Sequence, residues 1–494
     1  MRLLLLLRIP LIAQTFLAPL VVIPLGMAAA AQDVCMARAL GLTLGICLVC
    51  ALPLAVTIKK HPVRITRNGG FVIVGASWFL LILMGALPYF FSDEGFSFCV
   101  SVFESSGAFS TSGVSVINQI EKLPASLLLW RALCYWAGGM GVIVLSVALM
   151  PLLGVGGFQL IKAETTGPEK DRLTPRIAAT ARLLYLVYFV LTLILILLYK
   201  LGGMTLFDAA CHALSLVATG GVSTKNEGLL SYNSTYILVI STVFMMLAAT
   251  NFNLFFFLIK GKFRDIVTNT EFRVFVGIFA AATCVVAFCI VPQYGSVKQA
   301  LIFASAQVAG ILTTAGIAFA QFDHWPPLAQ MILFVLMFLG GCSGSTAGGI
   351  KIIRHVILWK QTLHESKSML YPCGVFSIRL NKKAARPEIV YGTAGFVFLY
   401  LLTTFICCIY TTACGVDVWT SINAALAIMG NIGLGFGGIA PGSNFGIFPS
   451  HILWFYSFIM VVSRLELWTV FVLFVPAFWR GAVSAAYNDG TVVK

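Results

Sequence analysis

One short pattern occurs four times in this 494-residue chain, and it limits the fold more than any other feature. The four strings are Ser110-Thr111-Ser112-Gly113-Val114, Ala218-Thr219-Gly220-Gly221-Val222, Thr313-Thr314-Ala315-Gly316-Ile317 and Gly430-Asn431-Ile432-Gly433-Leu434. Aligned on Gly113, Gly221, Gly316 and Gly433, the following residue is always aliphatic. The residue two places earlier is Thr, Thr, Thr and then Asn. The anchors lie 108, 95 and 117 residues apart, a spacing that marks internal repeats. Each string sits in the same surroundings. An apolar stretch at 70–91, 181–200, 272–292 or 389–412 predicts an outer helix. A shorter one at 98–109, 206–217, 298–311 or 418–429 leads into the string, and 127–152, 235–259, 328–358 or 452–478 predicts an inner helix after it. The short stretches fall well below the roughly 20 residues that cross a bilayer, so they are predicted to enter it only part way. Asp208 and Asp417 lie near the starts of two of them, where a carboxylate can cap free N–H groups.

The bilayer itself follows from composition. The chain is 59% hydrophobic and 10% charged, against about 25% charged in soluble domains. The fold class is therefore an all-α polytopic membrane protein, with four outer helix–pore helix–filter–inner helix repeats preceded by two further spans at 4–30 and 36–57. The corresponding segments are 1–68 for the N-terminal pair, then 69–160, 161–262, 263–386 and 387–494 for the repeats. Arg2, the leucine run and Ala28-Ala29-Ala30-Ala31-Gln32 imitate a signal peptide, but the apolar stretch is longer than its usual 7–15 residues, so an uncleaved helix is expected. The net charge of +14 follows topology: 25 of the 32 Lys and Arg fall on one side of the expected helices. Six fall on the other (Arg38, Lys122, Arg131, Lys200, Lys225, Lys298), and Arg464 lies within a helix. The richer side is cytoplasmic by the positive-inside rule, which puts both termini in the cytoplasm and leaves no nucleic-acid footprint. The 13 cysteines sit mostly in apolar stretches without ligand spacing and are expected to act as small buried apolar residues.

Four re-entrant turns can meet on one axis. Glycine tolerates positive φ and lets the chain aim carbonyl groups inward, where a ring of them replaces the water shell of a monovalent cation. The partial negative charge at pore-helix C-termini favours a cation there, and Thr and Ser hydroxyls supply further oxygens. The candidate ion ligands are thus Ser110, Thr111, Ser112 and Gly113; Ala218, Thr219, Gly220 and Gly221; Thr313, Thr314, Ala315 and Gly316; and Gly430, Asn431, Ile432 and Gly433. No acidic residue stands in the strings, which argues against a divalent-cation filter.

A second feature breaks the third inner stretch: Gly340-Gly341-Cys342-Ser343-Gly344-Ser345-Thr346-Ala347-Gly348-Gly349. Each glycine costs a helix about 1 kcal/mol against alanine, so the helix is expected to unwind here. Irregular backbone at membrane depth survives only where protein or a water-filled cavity covers it. No other repeat shows a matching interruption in sequence, so Gly340, Gly341, Ser343, Gly344, Ser345, Gly348 and Gly349 are expected to form an asymmetric gate under the filter. Arg464, near the middle of the last apolar stretch, is costly there and functional by default. It is expected to face the pore near this loop. Glu104 is expected to brace the first filter. Gly341-Cys342-Ser343-Gly344 also matches the Gly-x-Ser-Gly string of intramembrane serine proteases, but no histidine stands where it could activate the serine.

The chain resembles the TrkH branch of the Trk/Ktr/HKT superfamily of potassium transporters. The resemblance rests on Phe103-Glu104-Ser105, Trp136-Ala137-Gly138-Gly139-Met140-Gly141 and Leu173-Thr174-Pro175-Arg176-Ile177-Ala178. It rests also on the glycine loop with Lys351 and Arg354, and on Arg464-Leu465-Glu466 through Pro476-Ala477-Phe478-Trp479-Arg480. It implies K+ as the transported ion and a pore on the pseudo-fourfold axis of each subunit. It further implies a homodimer in the bacterial cytoplasmic (inner) membrane and a cytoplasmic nucleotide-binding ring of the TrkA type, with no organic cofactor in this chain. Ser110-Thr111-Ser112 departs from the three threonines frequent in the family but keeps the hydroxyls. Ala248-Ala249 stand where relatives often carry two glycines, which removes the usual cause of a bend in that inner helix. Apart from the resemblance, the residues also admit an alternating-access carrier of a monovalent ion or small solute, although such folds place broken helices in inverted halves.

Overall fold

The structure is a computed structural model that describes residues 10–12, 14–60, 67–141, 177–371, 379–381, 383–384, 387–465 and 467–479. Residues 173–176, Glu466, Arg480, both termini and the first inner stretch after Gly141 lie outside the described residues. So do Lys162, Lys170, Arg172, Arg176, Lys382 and Arg386, six of the basic residues counted on the cytoplasmic side.

The N-terminal pair is α1 (Leu17–Ala30) and α2 (Val34–Lys60). Repeat 1 follows with outer helix α3 (Arg67–Phe90), pore helix α4 (Phe98–Ser110) and inner helix α5 (Ala125–Met140). Repeat 2 has α6 (Ile177–Leu201), α7 (Leu206–Val217) and an inner element in two pieces, α8 (Thr235–Ala248) and α9 (Phe252–Ile259). The short α10 (Phe263–Val267) leads into repeat 3, made of α11 (Thr270–Tyr294), α12 (Val297–Leu312), α13 (Pro327–Leu336) and α14 (Ile352–Leu370). A two-stranded antiparallel hairpin, β1 (Arg379–Leu380) with β2 (Lys383–Ala384), precedes repeat 4. That repeat has α15 (Pro387–Ala413), α16 (Val418–Gly430), α17 (Ser450–Arg464) and α18 (Leu467–Phe471).

Outer and pore helices fall close to their expected bounds. The inner helices of repeats 2, 3 and 4 do not run through as single spans. Among the described residues five helices are long and apolar enough to cross a membrane, and seven if two bent pairs each count as one. The pairs bend by 96° between α8 and α9 and by 111° between α17 and the segment from Leu467. The interruption at 340–349 is therefore not unique, and a bend occurs beside Ala248-Ala249 after all. Its cause is tertiary contact in place of glycine. The Ala249 carbonyl accepts the Cys342 N–H at 2.8 Å, and the Phe252 N–H donates to the Gly344 carbonyl at 3.1 Å. The Asn251 side chain then caps α9 through the Asn253 N–H. The glycine loop takes up backbone groups that a continuous helix would have used itself.

Three of the four pore-helix starts are capped by side chains, Ser97, Thr205 and Asp417, as polar residues beside free N–H groups should do. Asp417 accepts the Thr420 N–H at 2.8 Å, and these hydrogen bonds hold its carboxyl below the usual range. In α7 the cap is Thr205 and not Asp208: Thr205 Oγ1 accepts the Asp208 N–H, while the Asp208 carboxylate accepts the Thr205 and Thr224 hydroxyls. Packing runs round a circle. Inner α5 packs on pore helix α7, α8 on α12, and α17 on α4. Phe334 of α13 stacks on Trp419 of α16 with ring centroids 5.3 Å apart. Each repeat's inner helix thus supports the next repeat's pore helix, and the fourth returns to the first.

Candidate functional site

The four strings come together. A Cβ placed on Gly113 would lie 3.0 Å from the Gly220 carbonyl oxygen. One on Gly221 would lie 2.0 Å from that of Ala315, and one on Gly316 would lie 1.7 Å from that of Ile432. One on Gly433 would lie 2.2 Å from the Ser112 carbonyl oxygen. Every contact runs from one repeat to the next, and the fourth closes on the first. The glycines form one ring of abutting backbones, each at a φ between 65° and 85°.

The residue two places before each glycine is also left-handed: Thr111 at 57°, Thr219 and Thr314 at 56°, Asn431 at 52°. A β-branched residue at positive φ is a true outlier, costing about 1–3 kcal/mol, and persists only where its surroundings enforce it. Here that strain recurs at three equivalent threonines, and at the fourth point stands Asn431, a residue that tolerates the same conformation. Alternation of left-handed and ordinary residues turns successive carbonyls toward one side of the strand, which the stretch must do to line an axis. Ser110, Ser112, Ala218, Gly220, Thr313, Ala315, Gly430 and Ile432 fill the remaining positions of these strands. Of them, Ser110, Ser112, Ala218, Thr313, Ala315 and Ile432 are completely buried.

In repeats 1 to 3 a side chain of the pore helix ties down the chain that follows the filter glycine. Glu104 Oε1 accepts the Val116 N–H at 2.7 Å and the Ser115 hydroxyl at 2.8 Å. His212 Nε2 meets the Ser223 hydroxyl at 2.8 Å. Gln307 Oε1 accepts the Phe319 N–H at 3.0 Å. The sequence reading found Glu104 and missed the other two. The signal was there, because all three stand nine residues before their filter glycines, whereas Ala424 holds that place in repeat 4. Arg131, counted among the six outer-side charges, is buried in α5 with a guanidinium nitrogen 3.6 Å from Glu104. Glu104→Ala would strand that charge, and breaking a buried pair costs about 3–5 kcal/mol. The expected result is a lower melting temperature and lost folded yield, while Glu104→Gln, which keeps an acceptor, retains more of both. Equal melting temperatures for wild type and Glu104→Ala would refute the brace.

Beneath the ring lies the glycine loop. The Gly348 N–H donates to Thr314 Oγ1 at 2.6 Å, and the Thr346 hydroxyl donates to the Val217 and Ala248 carbonyls, both at 3.1 Å. A Cβ on Gly348 would lie 2.5 Å from the Gly430 carbonyl oxygen. One on Gly341 would lie 2.9 Å from that of Ala249. Gly340 and Gly349 bring the two legs together, the Gly340 N–H donating to the Ile350 carbonyl. Glu271, buried in α11, accepts the Ser343 N–H at 2.6 Å and the Ile353 N–H at 3.3 Å. It grips the loop on both legs and was not anticipated from sequence. Gly344 is exposed and Ser345 donates to the Cys342 carbonyl, so these two stand at the loop's outer turn. Arg464 reaches this loop as expected: it donates to the Thr346 carbonyl at 2.9 Å and to the Gly138 and Gly139 carbonyls at 2.9 and 3.0 Å.

Four strands that share one left-handed turn and close a ring of carbonyls inside a bundle of apolar helices define a membrane protein of the cation-transporting class. The family model of TrkH, described as cation transport protein, matches residues 36–481, and the chain belongs to that family. It is 35% identical over 427 residues to the Trk system potassium uptake protein TrkH of Escherichia coli strain K12, covering 85% of this chain and 88% of that one. It is 36% identical to the protein of the same name from Halomonas elongata, covering 90% and 91%. The crystal structure of the potassium transporter TrkH from Vibrio parahaemolyticus superimposes with a TM-score of 0.82 at 32% identity, over 96% of this chain and 99% of that one.

Proposed function

We propose that this protein takes up potassium ions across the bacterial cytoplasmic membrane through the glycine-ringed filter. The ring, closed repeat to repeat, is the observation that carries the reading. Carbonyls held in place by strained backbone replace an ion's water shell without reorganising at each passage. Thr111, Thr219, Thr314 and Asn431, with the three residues flanking each, supply the oxygens. No acidic side chain among them would trap a divalent ion.

The glycine loop is the gate. It sits against three of the four pore-helix ends, so ions leaving the filter meet it first. Arg464 latches it and adds a positive charge that opposes cations below the filter. A homodimer with a cytoplasmic nucleotide-binding ring of the TrkA type would move the loop from inside the cell, where the positive-inside bias also places both termini. Rubidium uptake in a host lacking its own potassium uptake systems tests the reading. Expression of this chain should restore uptake and growth at low potassium. Normal membrane expression without rubidium uptake would overturn it.

A further inference from the structure

We infer that the side-chain oxygens of Thr111, Thr219, Thr314 and Asn431 form an innermost ion site whose occupancy is coupled to the gate. The permeant ion and the seated loop would compete for Thr314. This deepens the proposed transport reading and rests on it.

The four residues share one backbone conformation and one position relative to the filter glycines, and each is only 1% exposed. Their oxygens differ in what they do. Thr219 Oγ1 donates to the neighbouring Ala218 carbonyl at 2.6 Å and keeps its lone pairs. Thr111 Oγ1 and Asn431 Oδ1 are buried without a hydrogen-bond partner in the protein. Buried polar atoms are nearly always satisfied, so two orphans at equivalent places call for a ligand that is neither backbone nor side chain. A dehydrated monovalent cation is such a ligand, and it sits where carbonyl and hydroxyl oxygens converge.

Thr314 is the exception in this set. Its oxygen accepts the Gly348 N–H of the gate loop at 2.6 Å. The donor turns the positive end of a peptide dipole toward the point an ion would occupy. A cation and that N–H repel each other, and both draw on the same small oxygen. Asn431 adds a second link: its Nδ2 donates to Ser463 Oγ at 2.9 Å, one residue before the latch arginine. The loop residue Gly348 also packs against Asn431, where an added Cβ would lie 2.9 Å from the Asn431 Cβ. An ion entering the site therefore loosens the loop, and a seated loop disfavours the ion. Linkage makes the two effects equal in free energy. The permeant ion is thus itself a gating ligand.

The test is amide hydrogen exchange of the purified full chain, followed in the peptide that carries Gly348. Spectra are compared in potassium chloride and in N-methyl-D-glucamine chloride of equal ionic strength. Potassium should speed exchange roughly three- to tenfold, the scale of one hydrogen bond's net contribution. Thr314→Val, which lacks the acceptor, should exchange fast in both salts, and Thr314→Ser should behave as wild type. Equal exchange of wild type in the two salts, or slower exchange in potassium, overturns the inference even if the valine variant does not fold. Rubidium uptake measured beside it separates the two readings. Uptake with ion-independent exchange removes only the coupling, whereas loss of uptake in the well-expressed wild type removes the transport reading itself.

Discussion

Replacing Gly316 with alanine is expected to abolish rubidium uptake, and to do so more completely than the same change at any other filter glycine. The added Cβ would lie 1.7 Å from the Ile432 carbonyl oxygen, a distance at which two atoms cannot coexist. The obstacle is backbone, so no side chain can swing aside. The φ of 65° adds its own penalty, since left-handed backbone costs an L-residue about 1–2 kcal/mol. Relief requires the third and fourth strands to part, which pulls carbonyls off the axis. The same measurement ranks the four positions. Alanine at Gly221 and Gly433 meets carbonyl oxygens at 2.0 and 2.2 Å, and at Gly113 only at 3.0 Å. Residual uptake should therefore be greatest for Gly113→Ala and least for Gly316→Ala. Equal uptake by all four variants, or wild-type uptake by Gly316→Ala, would show that the ring does not carry the ion.

That ranking is invisible in sequence, though the ring is not. The four strings align because each must make the same turn, and a local conformational demand leaves a local trace: glycine at one place, Thr or Asn two before it, an aliphatic residue after. Outer and pore helices were legible for a similar reason. Their apolar lengths, above or below a bilayer's thickness, are properties of single segments. The inner helices were misread because what breaks them lies elsewhere in the chain. Thr235 to Ile259 is a good helix by composition, with no proline or glycine to stop it. It breaks because the loop around Cys342 and Gly344 claims its backbone groups.

Charges were misplaced by the same blindness to distant partners. Arg131 was counted with the outer-side charges although it falls within the inner stretch 127–152. Glu104, 27 positions earlier, makes it tolerable. Glu271 stands in the first turn of α11, and only the fold brings both legs of the loop to it. The contact of Arg464 with the loop was expected from its lone position in an apolar stretch, and its guanidinium does meet the Thr346 carbonyl.

Arg464→Ala should raise uptake. In the structure the guanidinium spans two elements that belong to different repeats, the loop at Thr346 and the end of α5 at Gly138 and Gly139. Hydrogen bonds from a charged donor are worth about 1.5–3 kcal/mol each, though a shared donor does not give their full sum. Losing the latch shifts the loop toward its displaced state by the amount typical of a coupling between two sites, roughly 5- to 150-fold. Two causes could produce the rise: a freed loop, or removal of a positive charge that repels cations below the filter. Arg464→Lys separates them. Lysine keeps the charge but lacks the planar fork that reaches several carbonyls at once. If the latch dominates, the lysine variant transports like alanine; if repulsion dominates, it transports like wild type. A fall in rubidium uptake by both variants, at wild-type expression and melting temperature, would mean that the arginine supports the open pore instead of the closed one. In that event the loop, however well placed, would not be held shut from this side.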